Sequence, residues 1–599
     1  MNGMNDFAFK IATVNGTGSA SANSLLMQAI FRMGIPVTGK NIFPSNIQGL
    51  PTWYEIRVNK DGYTARPPEI DLIVALNPST YAKDVAAVRP GGYLLYDSSW
   101  PLDLALVREG ITIMGIPFGK MCVEAFERDR DRTLLRNIVY AGSLAALLEI
   151  DMDVVNAMLS EKFAKKKSLL SANHRAIRLG YDYARKNFDC PLLFSLKRMD
   201  KTGDSIIIDG NTAAALGALY AGATVGAWYP ITPSTSLMEA FKSFCERYRK
   251  DEETGLNKYC ILQAEDELAA AGIAIGAGWA GARSFTNTSG PGISLMQEFL
   301  GLAYYTEIPA VFFDVQRTGP STGMPTRTQQ ADLISLAYAS HGDTKHIIVF
   351  PANPEECFYL TVAAFDLAER FQTPVFVASD LDIGMNDWMC KRLQWDDSYM
   401  PDRGKVLNDA ELEQVETFAR YVDVDGDGIA ARTLPGSNAK GAYFVRGSGH
   451  DKNAAYTEDS DAYQDLVDRL LRKFDHAKKA VPAPEIRHQD GADIGIVSLG
   501  GCHAAVLEAV DRLREQGIPC NYMRIRAFPF DAPVKDFLDS HRVNFVVEQN
   551  RDAQLRSLLT IETGFPRDAM VPVLDYSGMP LTAQIVVGAV SKHLAGVHT

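Results

Sequence analysis

The stretch GAWYPITPST, residues 226–235, joins a short apolar run to two prolines and then to the helix-like sequence SLMEAFKSFCERY. Residues 226–229 are typical of a buried strand, and Pro230 restricts the residue before it to extended geometry. Pro233 is typical of the first turn of a helix. The sequence therefore predicts a strand-to-helix turn that holds Thr232 between two rigid residues.

Strands alternate with helical segments on both sides of this stretch. The predicted strands lie in FAFKIATV, IDLIVALNPS, GGYLLYDSS, SIIIDGN, KYCILQ, IPAVFFDVQ, ADIGIVSLGG, VNFVVEQN and MVPVLDYSG. A long helical stretch occupies about 121–185. Alternating strands and helices predict a multidomain α/β protein with parallel sheets.

Changes in composition predict the domain boundaries. Charged and turn residues at about 198–211 separate a domain at 1–190 from a second α/β domain at 199–395. Residues 396–487 are polar and turn-rich, and predict an irregular insert that ends in a linker. A third α/β domain is predicted at 488–599.

Composition excludes several classes of protein. The 599 residues carry a net charge of −13 and are 46% hydrophobic and 22% charged, as in ordinary soluble globular chains. No Lys/Arg-dense stripe is present, which disfavours nucleic-acid and anionic-membrane partners. The sequence contains no run of about 18 apolar residues, so no transmembrane helix is predicted. The N-terminus lacks a signal-peptide pattern, and we expect a cytoplasmic protein.

The cysteines predict neither disulfides nor a cluster on this chain. There are eight, none of them in a C-x-x-C pair. Widely spaced cysteines without close pairs are typical of buried free thiols in a reducing compartment. An iron–sulfur cluster needs four convergent thiolates, usually closely spaced.

Two loops resemble ligand-binding motifs only in part. In NGTGSAS, Gly16 and Gly18 match the start of G-x-G-x-x-G but the third position is Ser21, so a phosphate cradle and a plain turn both stay open. In DVDGDGI (423–429), the GDG with Asn453 approximates a Mg²⁺–diphosphate motif, but the flanking strand and helix are missing. Its twelfth position as a calcium loop is Leu434 instead of Glu. We predict a polar turn and no metal on this chain.

Three acidic residues stand between an apolar strand and a helix of alanine and glycine. In QAEDELAAAGIAIGAG, Asp266 is predicted to cap the helix. Capping does not account for Glu265 and Glu267, which are candidates for a functional role. A carboxylate held there against an apolar wall has the chemistry to protonate a heterocycle nitrogen.

Two further loops follow predicted strands and carry small and hydroxyl residues. TNTSGPG (286–292) allows close approach of the backbone, and DVQRTGPSTGMPT (314–326) contains Arg317 as its one basic residue. Open α/β sheets bind ligands at the carboxyl ends of their strands. A guanidinium at that position suits two-point capture of a carboxylate.

Taken together, YPITPSTS, AEDELAA, FTNTSGPGISLMQE, QRTGPSTGMPT, TLPG, GSGHD and VVEQN resemble the α subunit of 2-oxoacid:ferredoxin oxidoreductases over nearly the whole chain. The likeness is greatest to the 2-oxoglutarate branch, with a γ domain fused ahead of the α portion. The resemblance implies a γ-type, CoA-associated domain at 1–190, a thiamine-diphosphate pyrimidine-binding domain at 199–395 and a transketolase-C-like domain at 488–599.

The resemblance also implies cofactors and partners. Thiamine diphosphate is bound across an interface with a β subunit, which supplies the Mg²⁺–diphosphate motif and a [4Fe–4S] cluster. Ferredoxin is the electron partner, CoA is the co-substrate, and an (αβ)₂ assembly is expected. The implied reaction interconverts 2-oxoglutarate, CoA and oxidised ferredoxin with succinyl-CoA, CO₂ and reduced ferredoxin.

Site residues carried over from the resemblance fall into three groups. Glu265 is expected at the pyrimidine ring nitrogen, with Glu267 as the alternative. Thr232 and Arg317 are expected at the 2-oxoacid, with Ser321 and Thr322 shaping the pocket for substrate and CoA. The expected cofactor contacts are Tyr229, Pro230, Ile231, Ser289 and Gly290, and the expected CoA contacts are Gly16, Thr17, Gly18 and Ser19.

Three alternatives stay open on sequence alone. The same chemistry on pyruvate or a branched-chain 2-oxoacid needs the same Arg317. A non-catalytic scaffold subunit would dock a catalytic chain and would not depend on Glu265. A self-sufficient transketolase-like enzyme would need a diphosphate site of its own.

Overall fold

The computed structural model describes residues 3–45 and 49–596, and every element below belongs to that part of the chain. Strands β1 to β20 are Asp6–Val14, Val37–Ile42, Pro51–Asn59, Ile70–Ala75, Val88–Asp97, Thr112–Ile116, Ser205–Ile208, Val225–Trp228, Cys260–Gln263, Ser284–Thr288, Ala310–Gln316, Ile347–Val349, Pro374–Asp380, Trp388–Lys391, Glu485–Arg487, Ile494–Leu499, Cys520–Ile525, Ala527–Phe528, Val543–Glu548 and Met570–Leu574.

Helices are numbered in the same way. Helices α1 to α20 are Ser19–Arg32, Tyr81–Ala87, Phe118–Ala125, Asp129–Leu148, Met152–Lys162, Lys167–Asn187, Gly210–Tyr220, Thr235–Tyr248, Glu267–Trp279, Gly290–Leu295, Gln297–Thr306, Leu333–Ala337, Pro354–Phe371, Leu381–Met385, Asp409–Gln414, Ser460–Ala477, His503–Glu515, Ala532–Asp539, Gln554–Thr563 and Ala583–Leu594. The α/β class predicted from the sequence is confirmed.

The chain divides into two compact units. The first contains the described part of Met1–Ile208 together with Asn386–Arg392 and Thr582–Gln584. The second contains Asp209–Met385, Leu393–Leu581 and the described residues from Ile585 onward. In neither unit does a described helix have the length and apolar character needed to cross a membrane.

The first unit is built on a six-stranded sheet in the order β2-β3-β1-β4-β5-β6. Strands β1, β4, β5 and β6 are parallel, as expected, but β2 and β3 pair in an antiparallel manner with each other and β3 with β1. Only residues 43–50 connect β2 to β3, which is too short for a parallel crossover. The sheet is therefore mixed instead of purely parallel.

Strand β7, in SIIIDGN, does not open the next sheet as the sequence suggested. It pairs in an antiparallel manner with β14, Ile208 lying opposite Trp388 and Ser205 opposite Lys391. Both strands belong to the first unit. The segment 386–392 is far away in sequence, which is why no local pattern signalled this pairing.

The second unit contains two sheets. The larger has the order β18-β12-β13-β11-β10-β8-β9, with all pairs parallel except β18 with β12. The smaller has the order β15-β17-β16-β19-β20. Strands β10, β11 and β13 are buried on both faces, which explains the nearly continuous apolar sequences of β11 and β13. Strand β10, SFTNT, is equally buried but mainly polar.

Strand order places a crevice in the larger sheet. After β8 the chain moves outward to β9 and then returns to β10 on the opposite side of β8. Such a reversal is the place where ligands bind in open α/β sheets. The loops that follow β8, β9, β10 and β11 meet at this end of the sheet.

A buried ion cluster fastens the 396–487 region to the rest of the second unit. The Glu307 carboxylate accepts hydrogen bonds from Arg469 and, at 2.8 Å, from Lys473 of α16. The Arg420 guanidinium donates to the Glu307 carbonyl at 3.1 Å and to Gln372 at 2.7 Å. The region predicted to be an irregular insert is thus anchored in the core and carries helices α15 and α16.

Candidate active site

The 229–235 turn lies at the carboxyl end of β8. Thr232, Pro233 and Ser234 form a turn and α8 starts at Thr235, so Pro233 precedes the helix instead of lying in its first turn. The Ile231 carbonyl accepts hydrogen bonds from the Ser234 N–H at 2.9 Å and the Thr235 N–H at 3.1 Å. Thr232 is half-buried, so its side chain stays accessible from the crevice.

Two asparagines fix this turn from neighbouring elements. The Asn211 amide of α7 donates to the Pro233 carbonyl at 2.8 Å and to the Ser236 hydroxyl at 2.9 Å. The Asn287 amide of β10 donates to the Ser234 carbonyl at 2.8 Å. The turn is therefore held from both sides, and rigid placement is what a binding residue requires.

The three acidic residues after β9 have distinct environments. Asp266 accepts a hydrogen bond from the Ala269 N–H at 2.7 Å and caps α9, as predicted. Glu267 is buried, with 8% of its surface exposed. Glu265 is exposed at the strand-to-helix junction, so within this chain it lacks the apolar wall that the sequence suggested.

Polar atoms without partners collect at the carboxyl end of β10. The Thr286 hydroxyl, the Asn287 side-chain carbonyl and the Ser289 hydroxyl are buried and make no hydrogen bond among the described residues. Gly292 is required here, because a Cβ on it would lie 1.9 Å from the Thr288 hydroxyl. Buried polar atoms of this kind usually have a partner, so their concentration here marks a ligand site.

Arg317 lies at the centre of the crevice. Its Nη1 donates to the Thr232 carbonyl at 2.6 Å, which joins the loops after β8 and β11. Its Nε is buried without a partner in the described chain. Burial lowers the pKa of Arg317, whereas the neighbouring Asp332 and Glu267 raise it. The guanidinium thus has donor capacity left for an anionic ligand.

The carboxyl groups of Asp314 and Asp332 lie next to each other beside Arg317, and the Oδ2 of the half-buried Asp332 is enclosed. Asp314 is fully buried in β11, and Asp332 immediately precedes α12. Burial and the neighbouring Asp332 raise the pKa of Asp314 well above its usual value. Burial raises the pKa of Asp332 to about 6, against the lowering effects of a hydrogen bond from Asp314 and the charge of Arg317.

The loop after Arg317 is anchored at its base and exposed at its tip. The Thr318 N–H donates to the Arg327 carbonyl at 2.9 Å, and the Met324 N–H donates to the Thr318 carbonyl at 3.1 Å. Ser321 and Thr322, predicted to shape the pocket, lie at the exposed tip.

The NGTGSAS loop belongs to the first unit and leads from β1 into α1. Gly16 and Gly18 have φ of 86° and 82°, which favours glycine. The Asn137 amide donates to the Thr17 carbonyl at 2.8 Å, and Ser19 shares a 2.9 Å hydrogen bond with Thr13. The first turn of α1 has neither a side-chain cap nor an acidic residue.

The DVDGDGI loop contains neither helix nor strand, as predicted for a polar turn. Its carboxylates Asp423, Asp425 and Asp427 lie close enough together to hold a cation. The Lys405 ammonium donates to Asp425 at 2.7 Å and to Asp427 at 2.8 Å. A side-chain cation therefore already neutralises part of this group.

The cysteines follow the sequence expectation in most cases. All eight are free, and six of them are buried. Cys260 is exposed on the edge strand β9, contrary to that expectation, because β9 has a neighbour on one side only.

Comparison with known proteins defines the class of the chain. Residues 216–395 match the family model "Pyruvate flavodoxin/ferredoxin oxidoreductase, thiamine diP-bdg", and residues 8–183 match "Pyruvate ferredoxin/flavodoxin oxidoreductase". The crevice described above thus lies in a thiamine-diphosphate-binding domain of an oxidoreductase. The unpartnered hydroxyl, amide and guanidinium atoms at that crevice suit a polar cofactor and its substrate.

Individual relatives define the family. The chain is 31% identical to 2-oxoacid:ferredoxin oxidoreductase 2, subunit alpha, of Aeropyrum pernix, over 99% of this chain and 98% of the relative. It is 32% identical to 2-oxoglutarate synthase subunit KorA of Methanothermobacter marburgensis, over 62% of this chain and 94% of the relative. The chain belongs to the α-subunit family of 2-oxoacid:ferredoxin oxidoreductases.

A solved structure supports the same assignment. The 2-oxoglutarate:ferredoxin oxidoreductase from Magnetococcus marinus, determined with 2-oxoglutarate, coenzyme A and succinyl-CoA bound, superimposes with a TM-score of 0.89 at 27% identity. The match covers 98% of this chain and all of that one. The name "subunit alpha" among the relatives implies that the enzyme has several subunits.

Sequence reasoning overlooked the carboxyl pair beside Arg317. The signal for Asp314 was present, since AVFFDVQ places a charged residue inside an otherwise apolar strand. Buried charged residues are rare unless paired, so this pattern calls for a partner. Asp332 gave no such signal, because an aspartate before a helix is ordinary.

Proposed function

We propose that this chain is the α subunit of a thiamine-diphosphate-dependent 2-oxoglutarate:ferredoxin oxidoreductase, which interconverts 2-oxoglutarate, CoA and oxidised ferredoxin with succinyl-CoA, CO₂ and reduced ferredoxin. The observation that carries the proposal is Arg317, a buried guanidinium with an unpartnered Nε beside Thr232. The choice of 2-oxoglutarate is supported by the names of the Methanothermobacter relative and the Magnetococcus structure.

Each residue of the crevice has a role that follows from its chemistry. Thiamine diphosphate, when bound, supplies the nucleophilic carbon and the electron sink for decarboxylation of a 2-oxoacid. The Glu265 carboxyl group holds a proton at a ring nitrogen of the cofactor. Arg317 binds and orients the carboxylate of the 2-oxoacid, because a guanidinium offers paired donors. Thr232 and Ser289 direct hydroxyl groups at the bound molecules.

A β subunit completes the site. Glu265 is exposed, as are apolar side chains on the elements around it, namely Tyr229, Leu262, Leu268 and Leu295. Exposed apolar groups beside a functional carboxylate are typical of a surface that a partner covers. The partner also carries the Mg²⁺–diphosphate motif and the [4Fe–4S] cluster, in an (αβ)₂ complex of the cytoplasm that reduces ferredoxin.

CoA is bound with help from the first unit. Residues 16–19 lead into the start of α1, whose first turn has no side-chain cap and no acidic residue, although the Thr17 N–H already donates to the Val14 carbonyl at 3.4 Å. A helix start of this kind suits the diphosphate of CoA. Ser321 and Thr322, at the exposed tip of their loop, are proposed to contact substrate and CoA in the assembled enzyme.

The experiment is co-expression of this chain with its β subunit, followed by CoA-dependent ferredoxin reduction with three 2-oxoacids. We expect 2-oxoglutarate to give the highest kcat/KM, ahead of pyruvate and a branched-chain 2-oxoacid. A clear preference for pyruvate would overturn the substrate while leaving the reaction type in place. Equal activity in a complex that carries Glu265→Gln would instead favour a non-catalytic scaffold.

A further inference from the structure

A second pair of acidic residues lies directly behind the proposed substrate guanidinium and has no part in the reaction as described so far. Asp314 is fully buried, and neither of its carboxylate oxygens accepts a hydrogen bond from any N–H or hydroxyl group of the described residues. The Oδ2 of Asp332 is likewise buried without such a donor. Two neighbouring carboxylates that lack donors repel each other, which favours a proton shared between them.

Backbone contacts fix the position of Asp332. Its N–H donates to the Gln316 side chain at 3.1 Å, next to Arg317 in sequence. Gly290 packs so closely against it that an added Cβ would lie 2.7 Å from the Asp332 Oδ2. The carboxylate is thereby held between the loop after β10 and the guanidinium of Arg317.

We infer that Asp314 and Asp332 are positioning residues that share one proton and thereby set the charge around Arg317, so that this guanidinium can bind the carboxylate of an anionic 2-oxoacid. The inference rests on the proposed role of Arg317. Asp314 in its protonated form donates to Asp332, and the ionised Asp332 faces Arg317.

The charges that face this pair determine its dependence on pH. Arg317, directly after β11, faces Asp332, and Glu267 at the start of α9 interacts in turn with Arg317. Enclosure without donors favours the neutral form of Asp314, and burial and the neighbouring Asp332 raise its pKa well above the usual value. Loss of that proton at alkaline pH adds a negative charge behind Arg317, which repels an incoming carboxylate.

The test measures inhibition of the αβ complex by glutarate, a non-reactive dicarboxylate, from neutral to alkaline pH. In the natural enzyme we expect its inhibition constant to rise roughly tenfold across this range, as for one added charge at several ångströms. In Asp314→Asn the amide donates the same hydrogen bond and carries no charge. We therefore expect the neutral value to change less than about twofold and the alkaline rise to disappear.

The variant Arg317→Met distinguishes failure of this inference from failure of the proposed function. If glutarate binding is weakened at every pH in Arg317→Met but Asp314→Asn keeps the full alkaline rise, the shared proton is wrong and the role of Arg317 stands. If Arg317→Met binds glutarate normally, the proposed role of Arg317 is wrong.

Infrared spectroscopy of the chain without cofactor gives a readout that is independent of activity. We expect a carbonyl stretching band of a protonated carboxyl group at neutral pH that is lost at alkaline pH. The same band should be missing in Asp314→Asn. Its persistence in that variant would show that the proton is held elsewhere and would overturn the inference.

Discussion

Two groups of buried charges in the second unit are built in opposite ways. Around Glu307, Arg469 and Lys473 supply a donor to each carboxylate oxygen. Although burial raises the pKa of Glu307, the two cations lower it well below its usual value. Around Arg317, the neighbouring carboxyls have raised pKa values and several polar atoms have no partner.

This difference in hydrogen bonding distinguishes residues that stabilise the fold, around Glu307, from residues that can bind a ligand, around Arg317. Each oxygen of the Glu307 carboxylate already has a donor and gains nothing from an additional molecule, whereas buried groups without partners do. Changes at Glu307 should therefore lower stability, and changes in the crevice should lower activity or binding with little effect on stability.

The largest effect is expected from Glu265→Gln. The change removes the proton that this carboxyl group is proposed to hold at the cofactor, and general acid–base groups contribute about 10²–10⁴-fold to rate. Because Glu265 is exposed, the melting temperature should stay the same. Steady-state kinetics of the αβ complex measures the rate, and Asp266→Asn is the matched control, since asparagine also caps a helix. Full activity in Glu265→Gln would contradict its role.

In contrast to Glu265→Gln, Glu307→Gln should lower the free energy of unfolding. It leaves Arg469 and Lys473 buried without a counter-charge, which costs about 3–5 kcal/mol of unfolding free energy. Glu298→Gln, at an exposed side chain, is the control for the loss of one charge. Thermal unfolding measures the change, and a melting temperature equal to that of the control would contradict the assignment.

The Glu307 cluster also predicts that the stability of the fold depends on pH in the acidic range. The pKa of Glu307 in the folded state lies below the value of about 4.3 in the unfolded chain. Its stabilising contribution is thus complete above that unfolded value and is lost as the pH falls through the folded one. Glu307→Gln should show a smaller loss of stability on acidification than the natural chain.

Arg317→Lys should weaken substrate binding, an effect intermediate among those predicted. Lysine keeps the positive charge but loses the planar pair of donors, so we expect the KM for the 2-oxoacid to rise about tenfold. Arg370→Lys, in an exposed ion pair with Asp402, is the control. An unchanged KM in Arg317→Lys would mean that the substrate carboxylate binds elsewhere.

Lys405→Met should have the smallest effect of these changes, a slight loss of stability. The Lys405 ammonium pairs with Asp425 and Asp427 in a loop that is partly exposed to solvent. Such pairs contribute about 0–1 kcal/mol, because water screens them. Thermal unfolding should therefore detect little change, and a loss comparable to that of Glu307→Gln would show that this loop is a structural anchor.

The sequence predicts the local elements of this fold well and its long-range pairings less well. Strands β1, β16 and β19 lie where their apolar runs indicated. The pairing of β7 with β14 joins segments about 180 residues apart, and hydrophobic periodicity contains no information on such a partner. The antiparallel hairpin of β2 and β3 was missed because VTGKNI and PTWYEIRVN contain polar and charged residues at buried positions and lack a clear apolar pattern.

The site was predictable to the extent that its residues lie at strand ends. Thr232 and Arg317 were chosen for that reason, and they are joined by a hydrogen bond. The exposure of Glu265 was not predictable, because a single sequence does not specify which side of the junction between β9 and α9 packs against the rest of the chain. The pairing of Asp314 with Asp332 depends on how α12 packs against β11, which a single sequence does not specify.

The central claim is that this chain holds half of a thiamine diphosphate site and that a partner supplies the rest. Calorimetric titration of thiamine diphosphate with Mg²⁺, into the purified chain and into the αβ complex, tests it directly. We expect no tight binding to the chain alone and tight binding to the complex. Tight binding to the chain alone would contradict the claim.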